Sequence, residues 1–113
     1  PIAKLGKNLE VISRARIEID AMRLMVLQAA KAMDVLGNKE ARVYVSAVKA
    51  MVPEKVCLII DQAIQMHGAT GISQWSPLAN MYTDMRHLRF ADGPDEVHHM
   101  VVGRAEIQKY DLW

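Results

Sequence analysis

At 113 residues, the chain is 51% hydrophobic but only 5% aromatic. That suits one domain with a modest core of packed helices, its apolar content carried by Ala, Leu, Ile, Val and eight Met. Fourteen basic and thirteen acidic residues give a net charge of +1, and with no basic tract or aromatic–basic interleaving the sequence argues against a nucleic-acid partner. No apolar run reaches the roughly 18–20 residues of a membrane span, and the single cysteine, Cys57, cannot close an internal disulfide, which points to a reducing compartment.

Four helices are expected in chain order. In the first, Leu5, Leu9, Ile12, Ile19, Met22, Val26, Ala29, Met33 and Leu36 recur at helical spacing, interrupted only by Arg16. Arg16 reads as an interface ion-pair partner or a snorkelling side chain. Gly37-Asn38 ends the helix, because both residues tolerate the left-handed cap. The second runs from about Lys39 to Gly68, with Tyr44, Val48, Met51, Val56, Ile59, Ala63 and Met66 on one side. Pro53 is expected to kink or divide it. The third starts near Ser76-Pro77 and continues through Leu78, Met81, Tyr82, Met85 and Leu88. The fourth starts at Pro94 and carries Val97, Val101 and Ile107 toward Tyr110. No strand-like alternation persists. The expected class is all-α, an antiparallel four-helix bundle, and the unequal helix lengths leave apolar surface for an oligomer or a further domain.

Two junctions invite a functional reading. In Ala91-Asp92-Gly93-Pro94-Asp95-Glu96-Val97-His98, Pro94 suits the first helical position and Asp95 and Glu96 complement the helix dipole. Asp92 is the one acid that capping logic leaves over. It stands before a glycine, where a ligand can approach, as a catalytic base or as an ordinary cap. In Gln65-Met66-His67-Gly68-Ala69-Thr70-Gly71, glycines after a helix expose N–H groups of the kind that bind phosphate, or simply make a cap and a turn.

The remaining polar residues have plainer readings. His98 and His99 point about 100° apart on a helix, and no two histidines have the i, i+4 spacing of a helical zinc site, so no metal is expected. Asp95 and His99 have the spacing of a surface pair. Arg86 and Arg89 complement the end of the third helix. Cys57 sits in an apolar context, and no nucleophile–base arrangement is present.

Beyond these patterns, the sequence from Gln65 to Tyr110 resembles the C-terminal domain of the acyl-CoA dehydrogenases. Gln65, Gly68 and Gly71 match the family's Q-x-x-G-G-x-G motif, with Ala69 in place of the second glycine. Tyr82, Arg86 and Asp92-Gly93 follow at the family's spacing. The run Ser13-Arg14-Ala15-Arg16-Ile17-Glu18-Ile19-Asp20, followed by Arg23-Leu24, resembles the first C-terminal helix. The most specific match is Arg89-Phe90-Ala91-Asp92-Gly93-Pro94-Asp95-Glu96-Val97-His98, which resembles the branch containing acyl-CoA dehydrogenase family members ten and eleven.

The resemblance implies a flavoenzyme that removes hydrogen across Cα–Cβ of an acyl-CoA, the base taking the α-proton while hydride leaves for FAD. It assigns the base to Asp92, where relatives carry Glu, and a substrate contact to Gly93. It assigns flavin contacts to Pro94, Asp95 and Glu96, with Pro94 standing where most relatives have Thr. Gln65, Gly68 and Ala69 correspond to residues that meet the ADP half of FAD held mainly by a neighbouring subunit. Implied partners are an acyl-CoA, a homodimer or homotetramer and an electron-accepting flavoprotein. Implied compartments are mitochondrion or peroxisome in a eukaryote and cytoplasm in a bacterium. Residues 1–113 then form one C-terminal helical domain without the family's N-terminal helical and middle β domains, and are expected not to turn over acyl-CoA by themselves. A non-catalytic helical interaction module of the same descent, and an acyl-CoA oxidase-like flavoenzyme, are the alternatives.

Overall fold

A computed structural model describes residues 1–112. The described chain is all-α: α1 (Asn8–His67), α2 (Leu78–His87) and α3 (Asp95–Gln108), with short 3-10 turns at Ile2–Lys4 and Gly68–Ile72.

The 60-residue α1 is two helical arms joined at Gly37, where φ 82 and ψ 173 are far from helical values. A straight helix of that length would reach roughly 90 Å, whereas the longest dimension of the molecule is 53 Å. The arms fold back on each other: Lys55 Nζ meets Glu18 Oε1 at 3.8 Å, nearly symmetrically about Gly37. The expected helix end at Gly37 is therefore where the chain turns. The break expected at Pro53 does not occur, since Gly37 carries the only non-helical dihedrals within α1 and Pro53 is buried inside it. Packing of the second arm on its neighbours outweighs the one backbone bond that proline forfeits.

The core between the arms is built from small side chains. Met22, Ala29 and Ala32 of the first arm and Ala41, Ser46, Ala50, Pro53, Cys57 and Ile60 of the second are buried. The expected stripes are only partly covered. Met22 and Ala29 are inside, but Leu9, Ile12, Val26, Leu36 and Tyr44 are exposed. Alanine and serine let the arms approach closely, and the bulkier residues lie to either side of the contact. An apolar groove of about 920 Å³ runs between the open ends of the arms, touching Val11, Ala15, Ile19, Ile59, Ala63 and Met66 among others.

From the 3-10 turn, where Gly71 packs on Ile64, α2 runs back along the second arm until the Leu88 carbonyl meets Lys49. Helix α3 carries on in the same direction, with His98 at Ser46 and residues 100–108 beside 39–43. Both short helices pack on α1 and make no contact with each other. At ten and fourteen residues, each is too short to match an arm of about thirty, so they lie in succession beside the second arm. The turn between them is held over its middle.

Candidate active site

The turn from Leu88 to Pro94 arises from local rules. Helix α2 closes with overlapping bonds from the Leu88, Arg89, Phe90 and Ala91 N–H groups to carbonyls at Met85, Arg86 and His87. Asp92 then adopts φ 55 and Gly93 φ 102. Aspartate is among the few non-glycine residues that enter the left-handed region readily. Pro94, at φ −70 and ψ 163, is the N-cap of α3 rather than its first helical residue, and its carbonyl accepts from Val97 and His98. Asp95 and Glu96 occupy the first turn, as the dipole argument requires.

Three ties fix this turn, two of them reaching back to α1. Lys49 Nζ donates to the Leu88 carbonyl at 2.5 Å and to the Gly93 carbonyl at 3.1 Å. His98 bridges the Ser46 hydroxyl, at 3.1 Å from Nδ1, and the Asp92 carbonyl, at 3.1 Å from Nε2. Arg89 Nε donates to Asp95 Oδ2 at 2.7 Å, and the Asp95 N–H returns to the Arg89 carbonyl at 3.0 Å. Asp95 beside it holds the Arg89 guanidinium even more firmly protonated than usual. Asp92 itself is exposed. Its carboxylate takes no part in these three ties.

These contacts change the reading of several residues. The Asp95 carboxylate is buried against Arg89, so it is engaged within the turn and not in a surface pair with His99. Arg89 consequently serves the turn rather than the α2 dipole. Gly93 is constrained from within, because a Cβ there would stand 2.9 Å from His98 Nε2. Its glycine identity therefore has a local cause. Pro94 and Glu96 are exposed. Arg16 makes an ordinary i, i+4 surface pair with Asp20 at 3.2 Å.

The second cluster lies at the far end of the second arm. Gly68, at φ 62, caps α1 by donating its N–H to the Gln65 carbonyl. Gln65, Gly68, Ala69 and Thr70 are exposed, and space is open where a Cβ of Gly68 would sit. Gly71 is buried, and a Cβ there would fall 2.7 Å from the Ile64 carbonyl oxygen. The first glycine therefore serves the surface and the last serves packing. An exposed amide beside open backbone suits the polar groups of a dinucleotide, so this cluster fits the FAD contact implied for it. The Asp95 side chain does not fit such a contact.

The structure does not bring the two clusters together. One lies beside Ser46 and Lys49, the other beside Ile64, which along a helix is a separation of roughly 24 Å. Lys49 and Ser46 were not legible as site residues in the sequence. Neither stands out in the sequence from the other polar residues of the second arm, such as Arg42, Glu54 and Lys55. His98 closes the most specific family match, but by its side chain alone it reads only as a poor metal ligand. Among the described residues, no group of three or more His, Cys, Asp or Glu side chains is placed to hold a metal, and no helix is long and apolar enough to cross a membrane.

Comparison with known proteins matches residues 9–107 to the family model of the acyl-CoA dehydrogenase C-terminal domain. Acyl-CoA dehydrogenase family member 11 of Rattus norvegicus is 48% identical over 97 residues, covering 86% of this chain and 12% of that protein. Family member 10 of Mus musculus is 46% identical over 108 residues, covering 96% of this chain and 10% of that protein. A solved structure from Mycobacterium abscessus, described as an acyl-CoA dehydrogenase, superimposes with a TM-score of 0.94 at 47% identity, over 97% of this chain and 27% of that one. The chain thus spans about a tenth of the length of these curated relatives.

Proposed function

Because the chain belongs to the acyl-CoA dehydrogenase family, through the C-terminal domain of those enzymes, we propose that it supplies the catalytic base for α,β-dehydrogenation of an acyl-CoA thioester. The base is Asp92. The observation that carries this reading is an exposed carboxylate on a turn whose Leu88, Asp92 and Gly93 carbonyls are each held by side chains.

A thioester α-proton is a poor acid, so its removal needs a carboxylate held close to the carbon and kept from water. Asp92 is exposed in this chain, and the dry surroundings come from other parts of the enzyme. FAD, when bound, supplies the acceptor for the hydride that leaves Cβ. Asp92 takes the α-proton on a carboxylate oxygen and carries it until product release. Gly93, next to the base, contacts the substrate. Gln65 and the backbone of Gly68 and Ala69 contact the ADP half of an FAD held mainly by a neighbouring subunit, while Pro94 and Glu96 face the flavin end. Such a division fits two clusters too far apart to share one approach. Asp95 is assigned to the turn through Arg89.

The same reading places this helical domain near the centre of a homodimer or homotetramer, with an electron-accepting flavoprotein reoxidising the enzyme. Ile17, Leu24, Val35, Trp75 and Phe90 are each at least 60% exposed, a surplus of apolar surface that further domains or subunits would cover.

The test is Asp92→Asn in the full-length enzyme, since asparagine also tolerates the left-handed backbone. The expected result is loss of α-proton exchange and turnover with FAD still bound. Turnover at the parent rate would remove Asp92 as the base.

A further inference from the structure

We propose that His98 is a positioning residue for the Asp92 carboxylate, tying the backbone that carries the base to the buried Ser46 of α1. The proposal rests on Asp92 being the base.

The chemistry of the bridge fixes its protons. The Asp92 carbonyl can only accept, so His98 Nε2 carries hydrogen and donates to it at 3.1 Å. In the neutral ring, Nδ1 is then an acceptor, and the Ser46 hydroxyl donates to it across 3.1 Å. In the imidazolium, Nδ1 donates and the hydroxyl oxygen accepts. The tie to Asp92 is kept in both states. With both nitrogens engaged, His98 is not free to take a substrate proton itself.

The bridge acts where the backbone needs holding. Asp92 has φ of 55, a left-handed conformation that is uncommon for a residue with a side chain even though aspartate tolerates it. Ser46 is 4% exposed and lies in the middle of the second arm, so the anchor is rigid. The ring also fills the side of Gly93 that a Cβ would occupy. From the same arm, Lys49 holds the next carbonyl, that of Gly93. Two successive carbonyls are thus pinned to α1, and the direction of the Asp92 side chain follows from them.

The experiment uses the full-length FAD-containing enzyme, with flavin reduction by an acyl-CoA followed in single turnovers using α-protiated and α-deuterated substrate. His98→Phe keeps a ring and removes both nitrogens. The expected result is reduction slowed roughly ten- to hundredfold, a larger α-deuterium isotope effect and unchanged acyl-CoA affinity. His98→Gln, which retains a donor and an acceptor, is expected to recover most of the rate. As a readout apart from turnover, the ¹⁵N spectrum of the parent is expected to show a protonated Nε2 on His98.

Wild-type reduction by His98→Phe, equal slowing by His98→Phe and His98→Gln, or an unprotonated Nε2 would each overturn the proposal. If His98→Phe does not fold, Ser46→Ala decides. Slower reduction with a larger isotope effect supports the bridge, and an unchanged rate overturns it. Asp92→Asn separates the two assignments. Fast flavin reduction in that variant removes the base itself, whereas an inactive Asp92→Asn beside a fully active His98→Phe removes only the positioning role.

Discussion

Arg89 and Asp95 are tied twice, by a 2.7 Å bond from Arg89 Nε to Asp95 Oδ2 and by a 3.0 Å bond from the Asp95 N–H to the Arg89 carbonyl. Together they close the ends of the turn that presents Asp92. The other carboxylate oxygen, Oδ1, is buried and has no partner among the described residues. Arg89 is the ionic partner of this buried carboxylate, and removing it leaves the charge with only the weaker compensation of the α3 N-terminus. Arg89→Met is expected to lower the melting temperature by several degrees, and Asp95→Asn by less, because the amide leaves no charge behind. Calorimetry on the two variants checks the order. The reverse order would show that the pair is a surface ornament of the turn.

Gly71 and Gly103 predict opposite signs for the same substitution. A Cβ at Gly71 meets backbone, at 2.7 Å from the Ile64 oxygen and 2.9 Å from its Cα, and backbone cannot swing away. Gly71→Ala is expected to destabilise by about 1–3 kcal/mol through overpacking. Gly103 lies inside α3 with open space around it, and Gly103→Ala is expected to stabilise by about 0.5–1 kcal/mol. Urea midpoints of both variants against the parent measure the difference.

Gly37 tests the corner between the arms. Nothing lies within 4 Å of a Cβ built there, so space is no obstacle. The obstacle is φ 82 with ψ 173, a region open essentially to glycine alone. Gly37→Ala is expected to cost roughly 1–3 kcal/mol, with Gly37→Asn no better, because ψ 173 lies outside the left-handed helical well that asparagine tolerates. A Gly37→Ala protein with the parent's urea midpoint would contradict a sharp corner at this residue.

Cys57 predicts a pH dependence. Burial pushes its thiol above the ordinary value of 9.0, outweighing the opposing pull of Arg89 and Arg86. A raised pKa in the folded state means that the unfolded chain ionises first. This contribution to stability is therefore fully present below about pH 9 and is lost as pH rises through the folded value. The urea midpoint is expected to fall between about pH 8 and about pH 10 by more in the parent than in Cys57→Ala. Alkylation by iodoacetamide is expected to be slow until urea is added. Rapid labelling of the native protein would show an accessible thiolate instead.

The sequence by itself determined the punctuation of this protein. Gly37, Gly68, Ser76-Pro77 and Pro94 mark where helices end and begin, because those effects act within a turn of backbone. It also marked Asp92 as an acid without a local task. Only the tertiary structure decided which side of α1 is buried, and hence that Ser46 and Lys49, 52 and 44 residues from their partners His98 and Gly93, hold the turn. The same folding turned Asp95 inward to Arg89 and let Pro53 pass through a continuous helix. The physical reason is range: a helical period specifies neighbours three and four residues away, whereas these contacts exist only after Gly37 has folded the arms together and α2 and α3 have settled against the second of them.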